Sequence, residues 1–83
     1  MELRDTIVYE LKKGNEIVYI GTTNDPERRK REHETEGKVF DSMNLVSGPV
    51  TEDEAKRIEK ELLAEYRQRH NGKNPKYNKD SDG

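Results

Sequence analysis

Residues 6–21 read TIVYELKKGNEIVYIG. The stretch holds two runs of β-branched and aromatic residues, 6–12 and 16–21, separated by Lys13-Gly14-Asn15. In the first run Ile7, Tyr9 and Leu11 alternate onto one face, the period expected of a strand. Gly14 and Asn15 both tolerate positive φ, and such a pair between two strand patterns signals a hairpin. An antiparallel β-hairpin is therefore the nucleus from which the rest of the chain is read.

Beyond the hairpin, Thr22-Thr23-Asn24-Asp25-Pro26 reads as a helix entrance. Asp25 can cap, Pro26 suits the first helical position, and Glu27 complements the positive end of the helix dipole. The helix is expected to run to Glu36-Gly37, with Gly37 as its stop. It carries no large aliphatic residue. Glu27/Arg31, Arg28/Glu32 and Lys30/Glu34 stand four apart and support it locally, by a few tenths of a kcal/mol each. Such a helix must dock through arginine and lysine stems rather than through an apolar stripe.

A third strand is expected around Ser42 to Val46, broken by Gly48-Pro49. Thr51-Glu52-Asp53-Glu54 then has the form of a capping box and opens a helix reaching Arg69 or His70. Asn71-Gly72 ends it, Pro75 keeps the chain extended, and residues 80–83 are expected to fray. The order β-β-α-β-α predicts a small α+β domain, a three-stranded, largely antiparallel sheet flanked by helices. One domain spans 1–83, with its core at about 6–79.

The composition suits one thin core: 83 residues, 28% hydrophobic against 41% charged, with no cysteine. Disulfides and cysteine-ligated zinc are excluded. No apolar run approaches the roughly 20 residues of a membrane span, and no signal-peptide pattern opens the sequence. The expected location is cytoplasmic, with no membrane association. The net charge of −2 argues mildly against indiscriminate nucleic-acid binding, yet the charges are segregated. Arg28, Arg29, Lys30 and Arg31 form a continuous cationic run. Residues 51–65 hold six carboxylates, Glu52, Asp53, Glu54, Glu59, Glu61 and Glu65, against Lys56, Arg57 and Lys60.

Three groups of residues resist a purely structural reading. Ala55, Ile58, Leu62, Leu63 and Tyr66 form an apolar stripe at helical spacing, and Glu59 lies inside it. A carboxylate aimed at a core costs desolvation unless it is paired or holds a metal; an edge position reaching solvent or an arginine is the equally weighted alternative. Arg29 and His33 share a helix face, the one suited to phosphate, the other to proton transfer or donation. A solvated basic helix with a surface histidine is the plainer alternative. Tyr9 and Tyr19 sit on the two strands of one hairpin, where tyrosines are more often space-filling than catalytic. A phenol titrates near pH 10 and needs a nearby cation to act as a base.

Together these residues resemble the GIY-YIG nuclease superfamily. Ile7-Val8-Tyr9 stands where that family has its first motif, and Tyr19-Ile20-Gly21 matches the second. Arg29 lies ten residues beyond Tyr19, His33 one helical turn further, Glu54-Ala55 leads to Glu59, and Pro75-Lys76-Tyr77-Asn78 closes the pattern at Asn78. The resemblance spans about residues 6–79 and implies the same β-β-α-β-α fold.

The resemblance implies an endonuclease hydrolysing DNA phosphodiesters with one divalent ion, Mg²⁺ or Mn²⁺. Glu59 would be its only protein ligand, which suits an ion that keeps most of its waters. Tyr9 or Tyr19 would act as, or position, the base. Arg29 would neutralise charge on the phosphate, His33 would assist proton transfer, and Asn78 would brace the site. Gly21, Arg28, Arg31 and Asn78 complete the expected substrate-binding set. DNA is the expected partner, with a homodimer or a targeting protein as a further one. The competing reading is a catalytically weak or inactive module of the same fold that binds nucleic acid or protein, which the acidic balance favours. A purely structural domain carries least weight.

Overall fold

A computed structural model describes residues 3–78. The fraying expected at 80–83 lies outside the described residues. The chain forms β1 (Ile7–Lys13), β2 (Glu16–Thr23), α1 (Pro26–Thr35), β3 (Ser42–Leu45) and α2 (Glu52–Arg69). The three strands make one sheet in the order β2-β1-β3, with both pairings antiparallel. The expected α+β architecture is the one observed.

The hairpin forms as its sequence requires. Gly14 adopts positive φ (63°) and Asn15 does not, the pattern of the II′ mirror-image turn with glycine first rather than the I′ form in which both residues are positive. Asp41 anchors it, accepting from the Gly14 amide at 2.7 Å. A β-bulge between Leu11 and Lys12 then shifts the register: Leu11 pairs with Tyr19, Lys12 with Ile17. From the bulge to the far end Tyr9 faces Gly21 and Ile7 faces Thr23. Thr6 and Val50 extend β1 by an isolated bridge, exchanging bonds of 3.0 and 2.8 Å.

Because β1 is the central strand, both of its faces are covered. Alternation aimed Ile7, Tyr9 and Leu11 at a core, but Val8 on the opposite face is equally inaccessible. Val8 and Ile20 pack against Ala55 and Leu63 of α2, with Ile58 and Leu62 alongside. This is the apolar stripe read from the sequence. Tyr9, Leu11 and Val18 form the second cluster, with Tyr19, Phe40, Met43 and Tyr77. Thr51 caps α2 by accepting from the Glu54 amide at 3.2 Å, one half of a capping box. The Glu54 carboxylate lies 3.9 Å from Arg4.

Helix α1 is capped as expected, Asp25 accepting from the Arg28 amide at 3.2 Å, and stops before Gly37 at φ 88°. Its only buried residue is His33. The ion pairs on its outer side converge on Glu32, 2.9 Å from Arg29 and 4.0 Å from Arg28. The helix without aliphatic residues thus docks through a buried imidazole, and the plainer reading of His33 as a surface residue is corrected: its ring is fully enclosed.

The segment after α2 closes the open edge of β2. The Tyr77 amide donates to the Val18 carbonyl at 2.8 Å. Asn78 continues the pairing with its side chain, accepting from the Ile20 amide at 2.8 Å and donating to the Ile20 carbonyl at 2.9 Å.

Candidate active site

The face of the hairpin turned away from α2 carries a polar cluster. Strand pairing sets Tyr9 opposite Gly21 and Leu11 opposite Tyr19, so Tyr9 and Tyr19 lie diagonally on one face with ring centroids 6.0 Å apart. Gly21 has a steric reason to be glycine. A β-carbon there would stand 2.7 Å from the Tyr19 ring and 3.0 Å from the Tyr9 hydroxyl. The two phenols can converge only over a residue without a side chain.

His33 descends from α1 onto this pair. Its Nε2 is 2.6 Å from the Tyr9 hydroxyl, and its ring lies 4.8 Å from that of Tyr19. Both Tyr9 and His33 are fully inaccessible to solvent. Burial, opposed in part by the Glu36 carboxylate, and the cations Arg29 and Lys38 lower the His33 pKa to about 4, so the imidazole is neutral at pH 7. Burial raises the Tyr9 pKa well above the ordinary phenol value; neighbouring Tyr19 adds to this and the Arg29 guanidinium opposes it. Arg29, one turn before His33, is held by Glu32 at 2.9 Å, and that hydrogen bond raises its pKa further, fixing its positive charge.

This geometry defines what the cluster can do. Tyr9 does not exist as a free phenolate near neutrality, but its proton lies on a short hydrogen bond to a neutral imidazole. A proton accepted by the Tyr9 oxygen can be matched by one passed on to His33. Arg29 sets a permanent cation beside the same hydroxyl, where it can neutralise an anionic group. Arg28, Arg29 and Arg31 line, with Glu32, Thr35 and Glu36, a cleft of about 460 Å³ along the outer side of α1.

Tyr9, Tyr19, Gly21, Arg29 and His33 are thus brought together, with Arg28 and Arg31 exposed at the margin. Asn78 sits at the other edge of β2, both ends of its amide bonded to Ile20. Glu59 is half-buried on α2, whose neighbouring Ala55 and Leu63 pack on the opposite face of the sheet. It takes no part in the Tyr9–His33 and Arg29–Glu32 hydrogen bonds. Burial raises its pKa, with Lys56 opposing. Among the described residues no group of three or more His, Asp or Glu side chains could hold a metal ion.

Two residues of the cluster escaped the sequence reading. Lys38, just past α1, lies 5.5 Å from the centre of the Tyr19 ring and 6.0 Å from that of Tyr77. It also binds the Glu36 carboxylate at 2.6 Å. Glu36 in turn faces His33 Nδ1 at 3.5 Å. The i,i+3 spacing of His33 and Glu36 placed both on one helix face; nothing in the sequence marked Lys38.

No helix among the described residues is long and apolar enough to cross a membrane. No curated protein and no solved structure matches the chain. The family model described as the T5orf172 domain matches residues 6–80. This overturns the assignment to the GIY-YIG superfamily, since the matching family is a different one and covers nearly the whole chain. The motif residues behind that assignment have local packing reasons: two tyrosines converge over Gly21, and Asn78 completes the edge of β2. The chain belongs to the T5orf172 domain family.

Proposed function

We propose that the domain binds DNA along the arginine-lined side of α1 and hydrolyses its phosphodiester bonds at the Tyr9–His33 pair. The observation that carries this reading is the buried 2.6 Å contact between the Tyr9 hydroxyl and a neutral imidazole, with the Arg29 cation alongside. Tyr9 is closed to solvent, so the proton of the attacking water reaches it through the part-exposed Tyr19 hydroxyl that bonds to it, while Tyr9 hands its own to His33. Arg29 neutralises the charge that accumulates on the phosphate. Arg28 and Arg31 supply phosphate contacts that position the strand without reading its sequence.

A divalent ion fits the chemistry of one residue. Glu59 is a desolvated carboxylate, and the ion-pair contacts among the described residues leave it without a cationic partner within 4.0 Å. Glu59 would hold Mg²⁺ or Mn²⁺, with water filling most of the shell, and the ion would supply electrostatic stabilisation of the phosphoryl oxygens.

The second reading, a DNA-binding module without catalysis, is favoured by the lack, among the described residues, of any hydrogen bond or ion pair between Glu59 and the tyrosine cluster. Supercoiled plasmid incubated with the protein in Mg²⁺, in Mn²⁺ and in EDTA, with Glu59→Gln alongside, decides between them. Metal-dependent nicking lost in Glu59→Gln supports hydrolysis. Retention of plasmid on the protein without nicking in any metal supports the binding module.

A further inference from the structure

We infer that Glu36 is a positioning residue that fixes the tautomer of His33, completing a carboxylate–imidazole–phenol relay from Glu36 to Tyr9. The inference rests on the proposed hydrolytic role of the Tyr9–His33 pair. Its starting point is an imbalance in how His33 is satisfied. Nε2 has the Tyr9 hydroxyl at 2.6 Å, whereas Nδ1 is buried and has no hydrogen-bond partner. What faces Nδ1 is a carboxylate oxygen of Glu36 at 3.5 Å.

A neutral imidazole carries one N–H, and the other ring nitrogen presents a lone pair. Were the proton on Nε2, the Nδ1 lone pair would point at a carboxylate in a buried site, an unpaired acceptor against an anion. Were it on Nδ1, the N–H dipole would point at Glu36, and Nε2 would be free to accept the Tyr9 proton. Electrostatics select the second arrangement. It is also the one in which Tyr9 donates to His33 and its oxygen is turned toward the Arg29 guanidinium.

The other groups around the imidazole do not compete for this role. Tyr9 comes from β1, Tyr19 presents its ring from β2, and Arg29 and Lys38 are cations that disfavour a proton gain by His33. Glu36 alone opposes them. In the reaction, the water oxygen bonds to phosphorus as the phosphorus–oxygen bond to the leaving group breaks, and the water proton passes through the part-exposed Tyr19 hydroxyl to the buried Tyr9 oxygen. The Tyr9 proton passes to Nε2, giving an imidazolium whose charge Glu36 faces. The leaving oxygen takes a proton from solvent, and the imidazolium releases its own after product departs. Lys38 shares the same Glu36 oxygen, so a phosphate drawing Lys38 away would leave that oxygen to His33.

The test reads the tautomer directly, by nitrogen-15 NMR of the His33 ring at neutral pH, in wild type, Glu36→Ala and Glu36→Gln. Glu36 is half exposed at the end of α1, so these variants are expected to fold; the amide spectrum checks it, with Glu34→Ala as control. The expected result is an Nδ1–H imidazole in wild type, a gain of the Nε2–H form in Glu36→Ala, and restoration in Glu36→Gln, whose amide oxygen still accepts. Nicking should fall by roughly tenfold in Glu36→Ala, the scale on which partners that orient an imidazole act, and recover in part in Glu36→Gln. An Nε2–H imidazole in wild type, or a tautomer unchanged in Glu36→Ala, overturns the inference. Absence of nicking by wild type overturns the proposed function and leaves the tautomer result to stand or fall separately.

Discussion

Gly21 shows how tightly single residues constrain the cluster. Its missing side chain lets two phenols share one small space, and a methyl group there would meet the Tyr19 ring at 2.7 Å. Gly21→Ala is therefore expected to displace the tyrosines and to destabilise the fold by about 1–3 kcal/mol, the usual range for overpacking. Urea denaturation measures that loss, and NMR of the Tyr9–His33 contact measures the displacement; an unchanged contact would mean that the rings do not depend on Gly21. Tyr9 and Tyr19 were legible as hairpin neighbours from strand alternation, and Arg29 and His33 as one helix face from the i,i+4 relation, but that the two pairs meet was not. Glu59 was legible only in part. Periodicity told which side of its helix faces inward, but not which face of the sheet that helix covers. Lys38 was not legible, since its position depends on how the chain leaves α1.

At the scale of elements, the sheet edge and α1 carry the most specific expectations. Among the described residues β2 has no partner strand on its outer side, and the Asn78 amide supplies the missing bonds to Ile20. Asn78→Ala leaves a buried amide and carbonyl unpaired and should cost about 1–3 kcal/mol or more, seen as a lower urea midpoint; Asn78→Asp keeps the acceptor and loses the donor. A stability equal to wild type in Asn78→Ala would show that the edge does not need it. Helix α1 hangs on His33, whose pKa falls from an ordinary value near 6.5 to about 4 on folding. Between those values the unfolded chain binds the proton and the folded one does not, so stability rises with pH across the window and is lost on acidification from pH 6.5 toward pH 4. The full loss is on the order of 3 kcal/mol. The stability difference between wild type and His33→Gln should shrink by that order over this window, other titrations such as that of Glu59 being common to both. A difference independent of pH would contradict the burial of a neutral imidazole. The apolar stripe of α2 and the hairpin were fully readable as patterns, whereas the docking of α1 was not, because a lone histidine carries no periodicity.

For the whole molecule, segregation of charge matters more than its sum. The chain is acidic overall, yet Arg28, Arg29 and Arg31 border one cleft beside the tyrosine cluster. If these three cations displace counterions from duplex DNA, the logarithm of the binding constant should fall with the logarithm of salt at a slope of about −3, and Arg31→Ala should reduce that slope by about one. Fluorescence anisotropy with a labelled duplex measures it, and a flat response would exclude phosphate recognition by α1. The most direct test of the central claim, that the Tyr9–His33 pair beside Arg29 hydrolyses DNA, is plasmid nicking by wild type against Tyr9→Phe. The substitution removes one oxygen from a ring that stays in place. Metal-dependent nicking by wild type is expected, with a loss of roughly a hundredfold or more in Tyr9→Phe, the scale of a positioned acid–base group. Equal nicking by the two proteins would contradict the claim.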